Sequence, residues 1–107
     1  MLEGKNTLVI GGGGGGIGRA VTRRLGTAGS AVAVADVDAG RANEAAAELT
    51  DAVALTADVR EPGALDELVT RAAEELGGLD ILVTVVGGQL AFALRRAFTR
   101  RRTKTGI

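Results

Sequence analysis

The sequence lacks most of the side chains that act as nucleophiles, or as bases near neutral pH. Its 107 residues include no cysteine, histidine, tyrosine or tryptophan, and Ser30 is the only serine. These absences exclude a disulfide framework, a zinc–thiolate centre and catalysis by cysteine or histidine. We therefore expect no metal site, and catalysis by this chain would depend on carboxylates, on Lys5 or Lys104, or on a bound cofactor.

Long apolar runs are also absent. No stretch approaches the roughly 18 consecutive apolar residues of a membrane-spanning helix, and the opening Met-Leu-Glu-Gly-Lys-Asn does not have the basic-then-apolar order of a signal peptide. With 46% apolar and 24% charged residues, the composition is that of a folded domain rather than of a disordered chain. We expect a soluble, cytoplasmic protein.

The chain has no net charge overall, but its long first part and its short last part have opposite net charges. The formal net charge is zero, yet residues 1–94 carry seven Lys or Arg against thirteen Asp or Glu, a net of −6. Residues 95–107 carry six Lys or Arg and no acid. The sequence therefore joins an acidic body to a short basic tail.

Short apolar runs alternate with segments of helical period along the body. Unbroken apolar runs are typical of strands buried on both faces, and apolar residues spaced three and four apart predict amphipathic helices between them. This alternation predicts a three-layer, Rossmann-type, doubly wound α/β fold, with parallel strands in the order 3-2-1-4 and truncated after about four strands. The first two helices should cover one face of the sheet and the third helix the other. The predicted strands are residues 7–11, 31–36, 52–57 and 79–86.

Six consecutive glycines, Gly11–Gly16, lie between the first predicted strand and the first predicted helix. A flexible linker would join two finished units, whereas this run leads into a helix N-terminus, whose amides and dipole attract a pyrophosphate. A nucleoside-triphosphate loop would need Gly-Lys-Ser or Gly-Lys-Thr at its end, but Gly18 is followed by Arg19 and Ala20. The glycine run therefore predicts a dinucleotide cradle.

Asp36 supports the same interpretation from the end of the second strand. It lies 18 residues beyond Gly18, where a dinucleotide-binding fold places a carboxylate that accepts hydrogen bonds from the adenosine ribose. A carboxylate there repels a 2′-phosphate, and Val37 and Gly15 offer no cation to pair with one, so NAD is preferred over NADP. The alternative is that an aspartate here only opens a turn, and we favour that alternative for Asp38.

The segment Gly11–Gly18 resembles the first turn of the short-chain dehydrogenases/reductases, Thr-Gly-x-x-x-Gly-Ile-Gly, with Gly11 in place of the threonine. The family resemblance implies that four residues of the segment line the pyrophosphate and ribose and that Asp36 holds the adenosine ribose. The four residues are Gly12, Gly16, Ile17 and Gly18.

Two later segments are similar to the same family. Asp58 and Val59 match its Asp-Val pair, which implies that Asp58 contacts the adenine ring and that the Val59 backbone lies against it; the alternative for Asp58 is a simple strand-end turn. Residues 79–87 resemble the family's Leu-Asp-Ile-Leu-Val-Asn-Asn-Ala-Gly, with Thr-Val-Val at residues 84–86 in place of Asn-Asn-Ala. Gly87 is retained and would allow close backbone approach to a cofactor.

The residue-by-residue resemblance ends near residue 93. The family's catalytic serine, Tyr-x-x-x-Lys pair and supporting asparagine belong to the second half of its fold, and no position of this chain can be assigned to them. We therefore interpret residues 1–93 as an NAD-binding half-domain and residues 94–107 as a basic tail, a non-native or truncated continuation. The resemblance implies a parent reaction of hydride transfer between nicotinamide and an alcohol or ketone, and we expect this chain alone to be inactive.

The tail leaves two further hypotheses open. From Leu90 onward, Leu94, Ala97 and Phe98 fit the apolar stripe of a basic helix, and such a helix can contact nucleic acid or an anionic membrane. That non-catalytic binding module is less favoured than a degenerate or frameshifted fragment without function of its own. A truncated sheet would also leave the fourth strand as an open apolar edge, through which the chain could self-associate.

Overall fold

A computed structural model describes residues 1–13, 16–86 and 89–93. Four parallel strands and one antiparallel strand form a single sheet in the order β3-β2-β1-β4-β5, with three helices between the parallel strands. No helix within these ranges is long and apolar enough to cross a membrane. The elements are β1 (Asn6–Ile10), α1 (Ile17–Thr27), β2 (Ala31–Asp36), α2 (Ala39–Ala47), β3 (Val53–Thr56), α3 (Ala64–Leu76), β4 (Ile81–Val86) and β5 (Gln89–Ala93).

The parallel strands are apolar on both faces because helices cover both. On β1, Leu8 and Ile10 belong to a core with α3, whereas Val9 belongs to a second core with α1 and α2. The same alternation along β2 assigns Ala33 to the first core and Val34 to the second. The predicted three-layer Rossmann-type arrangement is therefore confirmed, with two helices on one face and the third on the other.

The fifth strand differs from the prediction. The segment from Leu90 was expected to begin a helix, but Gln89–Ala93 pairs antiparallel with β4, opposite Leu82–Val86. Gly87 and Gly88 stand between the two strands in the sequence, and a glycine pair between apolar runs is a hairpin signal. The rest of the predicted tail helix lies outside the described residues.

The prediction that β4 forms an open edge of the sheet is also wrong. β4 pairs with β1 on one side and with β5 on the other, so its backbone is not left unpaired in the sheet. Val83 is fully buried, and Ile81 and Val85 pack against the core beneath α1 and α2. These three side chains were expected to promote self-association through an open edge; the edge is paired with β5, Ile81 and Val85 are partly buried, and self-association itself stays a prediction.

Polar side chains fix the amino ends of the strands, the edge opposite the glycine run. The Asn6 side-chain amide donates to the carbonyls of Leu76 and Gly78 at 3.1 and 3.0 Å. Asp80 Oδ2 accepts a hydrogen bond from the Asn6 backbone at 3.0 Å. These contacts tie the C-terminus of α3 and the start of β4 to β1, which sets the register of the sheet up to its carboxyl edge.

Candidate functional site

The candidate site is the carboxyl edge of the sheet, where β1, β2 and β3 end side by side because they run parallel. The turn after β1 contains the glycines, β2 ends at Asp36, and the loop after β3 contains Asp58 and Val59. Open α/β sheets bind ligands at this edge. The fold thus brings together the sequence-predicted residues of these three segments, although they are far apart in the chain.

Hydrogen bonds connect the described part of the glycine turn to β2 and α1. The backbone amides of Gly11 and Gly12 both donate to the Ala35 carbonyl, at 2.8 and 3.3 Å. From the other side, the buried Thr22 hydroxyl donates to the Gly12 carbonyl at 3.2 Å. β2 and α1 therefore hold the start of the turn in one position.

Gly16 and Gly18 have different structural reasons to be glycine. A Cβ on the buried Gly18 would overlap the Gly11 carbonyl oxygen, so α1 could not pack this closely on the turn. Gly16 has a φ of 73°, and a Cβ there would meet no described atom within 4 Å. Gly18 is therefore required for helix packing, whereas Gly16 has a left-handed backbone conformation that favours glycine.

The N-terminus of α1 is electrostatically open to an anion. Its N-cap residue is Gly16, which forms no side-chain cap, and no acidic residue lies in the first turn. The first amides of a helix have no acceptor within the helix and carry a partial positive charge. Ile17, in the same turn, has 47% of its surface exposed although it is apolar. This end of α1 can accept an oxyanion and offers an apolar contact next to it.

Asp36 and Asp38 build the turn between β2 and α2. Asp36 is only 7% exposed, and its Oδ1 accepts a hydrogen bond from the Asp38 backbone at 3.0 Å. Asp38 is the N-cap of α2, and its Oδ1 accepts from the Arg41 backbone at 3.1 Å. The turn-opening role favoured for Asp38 is therefore confirmed. Asp36 also supports the turn, while its position next to the glycine turn leaves it at the carboxyl edge.

Asp58 forms a two-pronged ion pair with Arg60. Its Oδ1 accepts from Arg60 Nε at 2.9 Å and from the Arg60 backbone at 3.1 Å, and its Oδ2 accepts from a terminal guanidinium nitrogen at 2.9 Å. The side-chain hydrogen bonds from Arg60, followed by the backbone one, lower the pKa of Asp58 to about 2. Asp58 is thus a charged turn residue in this structure. The side chain of Val59 packs against the α3 core.

An open cavity of about 370 Å³ lies beside Asp58, between the end of β3 and the first turns of α3. Its lining is partly polar and partly apolar, and the charged residues in it include Glu61, Glu67 and Arg71. No residue of the glycine turn lines it. The cavity therefore adjoins the candidate site at Asp58 without including the glycine turn.

Two further residues named in the sequence analysis are Gly87 and Ser30. Gly87 is outside the described residues. Ser30 is at the opposite edge of the sheet, where its hydroxyl is 2.8 Å from the Thr7 hydroxyl and donates to the Lys5 carbonyl at 2.9 Å. Within the described ranges there is no cluster of His, Cys, Asp or Glu that could hold a metal ion. The edge therefore contains features suited to binding, and the one serine is not part of it.

Comparison with known proteins identifies the family of this chain. The family model described as short chain dehydrogenase matches residues 5–104. The chain is 37% identical over 90 residues to 2,3-dihydro-2,3-dihydroxybenzoate dehydrogenase of Bacillus subtilis, a match covering 80% of this chain and 34% of the relative. It is 39% identical over 88 residues to 7alpha-hydroxysteroid dehydrogenase of Bacteroides fragilis, covering 76% of this chain and 33% of the relative.

Solved structures give the same result. The crystal structure of 3-ketoacyl-(acyl-carrier-protein) reductase from Brucella melitensis, complexed with NADH, is similar with a TM-score of 0.72 and 35% sequence identity. That match covers 77% of this chain and 34% of the reductase chain. The chain thus spans about a third of the length of the relatives that it matches.

Proposed function

The chain belongs to the short-chain dehydrogenase family, and we propose on that premise that it is the nicotinamide-cofactor-binding portion of an oxidoreductase. The observation that carries the proposal is the Gly16–Gly18 corner, where no side chain caps the helix N-terminus and a Cβ on Gly16 would meet no described atom within 4 Å. A pyrophosphate needs that combination of exposed amides and room for close approach. The NADH complex of the similar Brucella reductase supports a cofactor of this class.

Each candidate residue has a proposed role in holding the dinucleotide. The turn and the start of α1 would bind the pyrophosphate and its ribose, Asp36 the adenosine ribose, and the loop after β3 the adenine. Gly87 would allow the backbone after β4 to approach the cofactor. The residues are Gly12, Gly16, Ile17, Gly18, Asp36, Asp58, Val59 and Gly87.

We propose NAD rather than NADP as the preferred cofactor. Asp36 ends β2 beside the glycine turn, and its carboxylate can accept hydrogen bonds from the 2′- and 3′-hydroxyls of a ribose. The same negative charge disfavours a 2′-phosphate, because like charges at close range repel. Its hydrogen bond with the Asp38 backbone fixes the carboxylate in place.

We further propose that this chain binds the cofactor without turning it over. A bound nicotinamide supplies hydride chemistry, but the protein must still supply proton transfer to or from the alcohol oxygen. The chain has no tyrosine or histidine. Ser30 is buried at the amino edge of the sheet, so its hydroxyl cannot serve a substrate at the carboxyl edge. We expect no NAD-dependent oxidation of alcohols by the purified 107-residue chain.

The experiment that tests the proposal is an NAD titration of the isotope-labelled chain followed by amide NMR. We expect saturable shifts at Gly12, at Gly16–Gly18 and at Asp36. Asp36→Asn keeps an acceptor for the Asp38 amide but removes the charge, so it should weaken NAD binding and reduce the preference over NADP. Asp66→Asn removes an exposed acid from α3 and serves as the matched control.

Three results would contradict parts of this proposal. A dispersed spectrum that does not change with NAD or NADP would refute cofactor binding by this chain. Equal effects of Asp36→Asn and Asp66→Asn would refute the role of Asp36 while leaving cofactor binding intact. Turnover of an alcohol by the chain alone would refute binding without catalysis.

A further inference from the structure

Arg41 lies next to the glycine turn, although it comes 28 positions after Gly13 in the sequence. A Cβ on Gly13 would lie 2.7 Å from the Arg41 carbonyl carbon and 2.8 Å from the Ala42 backbone nitrogen. The first turn of α2 therefore packs directly on the glycine turn. The Arg41 side chain is 61% exposed, so a cation stands at the rim of the carboxyl edge.

The described residues give this cation only one long ion-pair contact. In the part of the chain that the structure describes, the one acid paired with Arg41 is Asp38, at 3.9 Å between Nε and Oδ2. Glu44 and Glu48, on the same side of α2 at helical spacing, are instead paired with Arg19 at 3.4 and 2.9 Å. A cation in the first turn of a helix is also disfavoured by the helix dipole. Its neighbours thus give little reason for an arginine at position 41.

The location of Arg41 points to an anionic ligand group. The guanidinium lies next to Asp38, whose backbone amide donates a hydrogen bond to the Asp36 carboxylate. The guanidinium is therefore close to the position proposed for the adenosine ribose. A guanidinium forms charge-assisted, frequently bidentate hydrogen bonds with phosphate. Sequence spacing alone indicates Val37 and Gly15, and not Arg41, as neighbours of Asp36.

We propose that Arg41 pairs with a phosphate group at the adenosine end of the bound dinucleotide. The inference rests on the proposed cofactor binding and adds a second determinant to Asp36. The phosphate has two possible sources, the 2′-phosphate that only NADP carries and the adenosine-side phosphate that NAD and NADP share. Pairing with the 2′-phosphate would offset the repulsion by Asp36, so the preference for NAD would be smaller than Asp36 alone imposes.

The test compares Arg41→Gln with Arg24→Gln in the complete 107-residue chain. Arg24 is an exposed cation in the last turn of α1, so its substitution removes the same charge far from the glycine turn. Dissociation constants for NAD and for NADP are measured by calorimetry at low and at moderate salt. We expect Arg41→Gln to weaken binding by about tenfold, with a shallower salt dependence, and Arg24→Gln to change it by less than about twofold.

The pattern of the loss identifies the phosphate. A loss for NADP alone assigns Arg41 to the 2′-phosphate, and an equal loss for both cofactors assigns it to the shared phosphate. If the unsubstituted chain binds NAD but Arg41→Gln behaves as Arg24→Gln does, this inference is overturned and the proposed function stands. If the unsubstituted, folded chain binds neither cofactor, both are overturned. Arg41→Lys, which keeps the charge without the planar fork, should retain part of the affinity if pairing is the cause.

Discussion

Asp58 stays ionised over the whole physiological pH range, within an ion pair with Arg60 that has no net charge. Arg60 donates three hydrogen bonds to the Asp58 carboxylate, and these bonds favour the charged form over the neutral one. A ligand that meets this turn near neutral pH therefore meets a carboxylate rather than a carboxylic acid.

The titration of Asp58 tests this pair. We expect the Asp58 carboxyl group to titrate with a pKa of about 2 in the folded chain. Arg60→Gln should raise that pKa toward the ordinary value near 4. The pKa of Asp58 is lower in the folded chain than in the unfolded chain. The ion pair therefore stabilises the fold fully above the ordinary pKa, and this stabilisation is lost as the pH falls through about 2. Carbon-detected NMR between pH 1.5 and 6 measures both midpoints. An identical midpoint in the variant would show that Arg60 is not the cause.

Asp36 and Asp58 differ in how much acceptor capacity their turns use. A carboxylate offers about four lone-pair sites. The Asp58 turn takes three hydrogen bonds from Arg60, whereas Asp36 accepts one from the Asp38 amide. The turn and ligand interpretations of an aspartate are therefore compatible at Asp36, which has more capacity left for ribose hydroxyls than Asp58 has for adenine.

At the level of elements, α1 depends on the absence of a side chain at its second residue. Gly18→Ala would push a methyl group into the Gly11 carbonyl, so the helix or the turn must move, at a cost of about 1–3 kcal/mol in the free energy of unfolding. The three atoms nearest to the Cβ of Gly26→Ala, in the same helix, all belong to the flexible Leu49 side chain, which can rotate away. The alanine there also gains about 1 kcal/mol of helix propensity, so its net effect should be small.

Urea denaturation followed by far-ultraviolet circular dichroism measures both variants, since the chain has no tryptophan or tyrosine to report by fluorescence. Gly18→Ala should also weaken NAD binding, because the displaced turn is the proposed cradle. Equal stabilities for the two variants would contradict the close approach of α1 to Gly11.

The sequence predicted correctly those elements whose apolar pattern is compatible with only one kind of secondary structure. Residues 31–36 were predicted as a strand with the bounds that β2 has, because an apolar run buried on both faces leaves little freedom. The predicted fourth strand began too early, at Leu79, which is buried but precedes the ladder. Apolarity reports burial, and only backbone pairing defines a strand.

The missed features depend on contacts that spacing does not encode. Five apolar and polar residues from Gln89 fit a helix or a strand equally well, and pairing with β4 decides between them. Arg41 was missed for a similar reason, since its proximity to Gly13 follows from the packing of α2 on the glycine turn. The glycine segment and Asp36 were predictable because fixed spacing in one β-α-β unit places them together.

At the level of the whole molecule, the central strands connect two cores. β1 contributes Leu8 to the core with α3 and Val9 to the core with α1 and α2, and β2 divides its side chains in the same way. Because the same strands contribute side chains to both cores, unfolding of these strands would expose the apolar side chains of both cores to water. We therefore expect the described part of the chain to unfold as one cooperative unit, so that the glycine turn depends on packing beneath α3 on the opposite face.

Leu68→Ala tests this coupling. Leu68 on α3 is 1% exposed, and its truncation should cost about 2–5 kcal/mol, whereas Leu65→Ala, at a 42% exposed site on the same helix, should cost far less. Amide hydrogen exchange should show that Leu68→Ala lowers the protection of α3 and of the strongly protected amides in β2 and α2 by the same factor. Loss of protection confined to α3 would mean that the two faces open independently. Cofactor binding at the glycine turn should then survive Leu68→Ala, but it should weaken with global stability if the two cores are coupled.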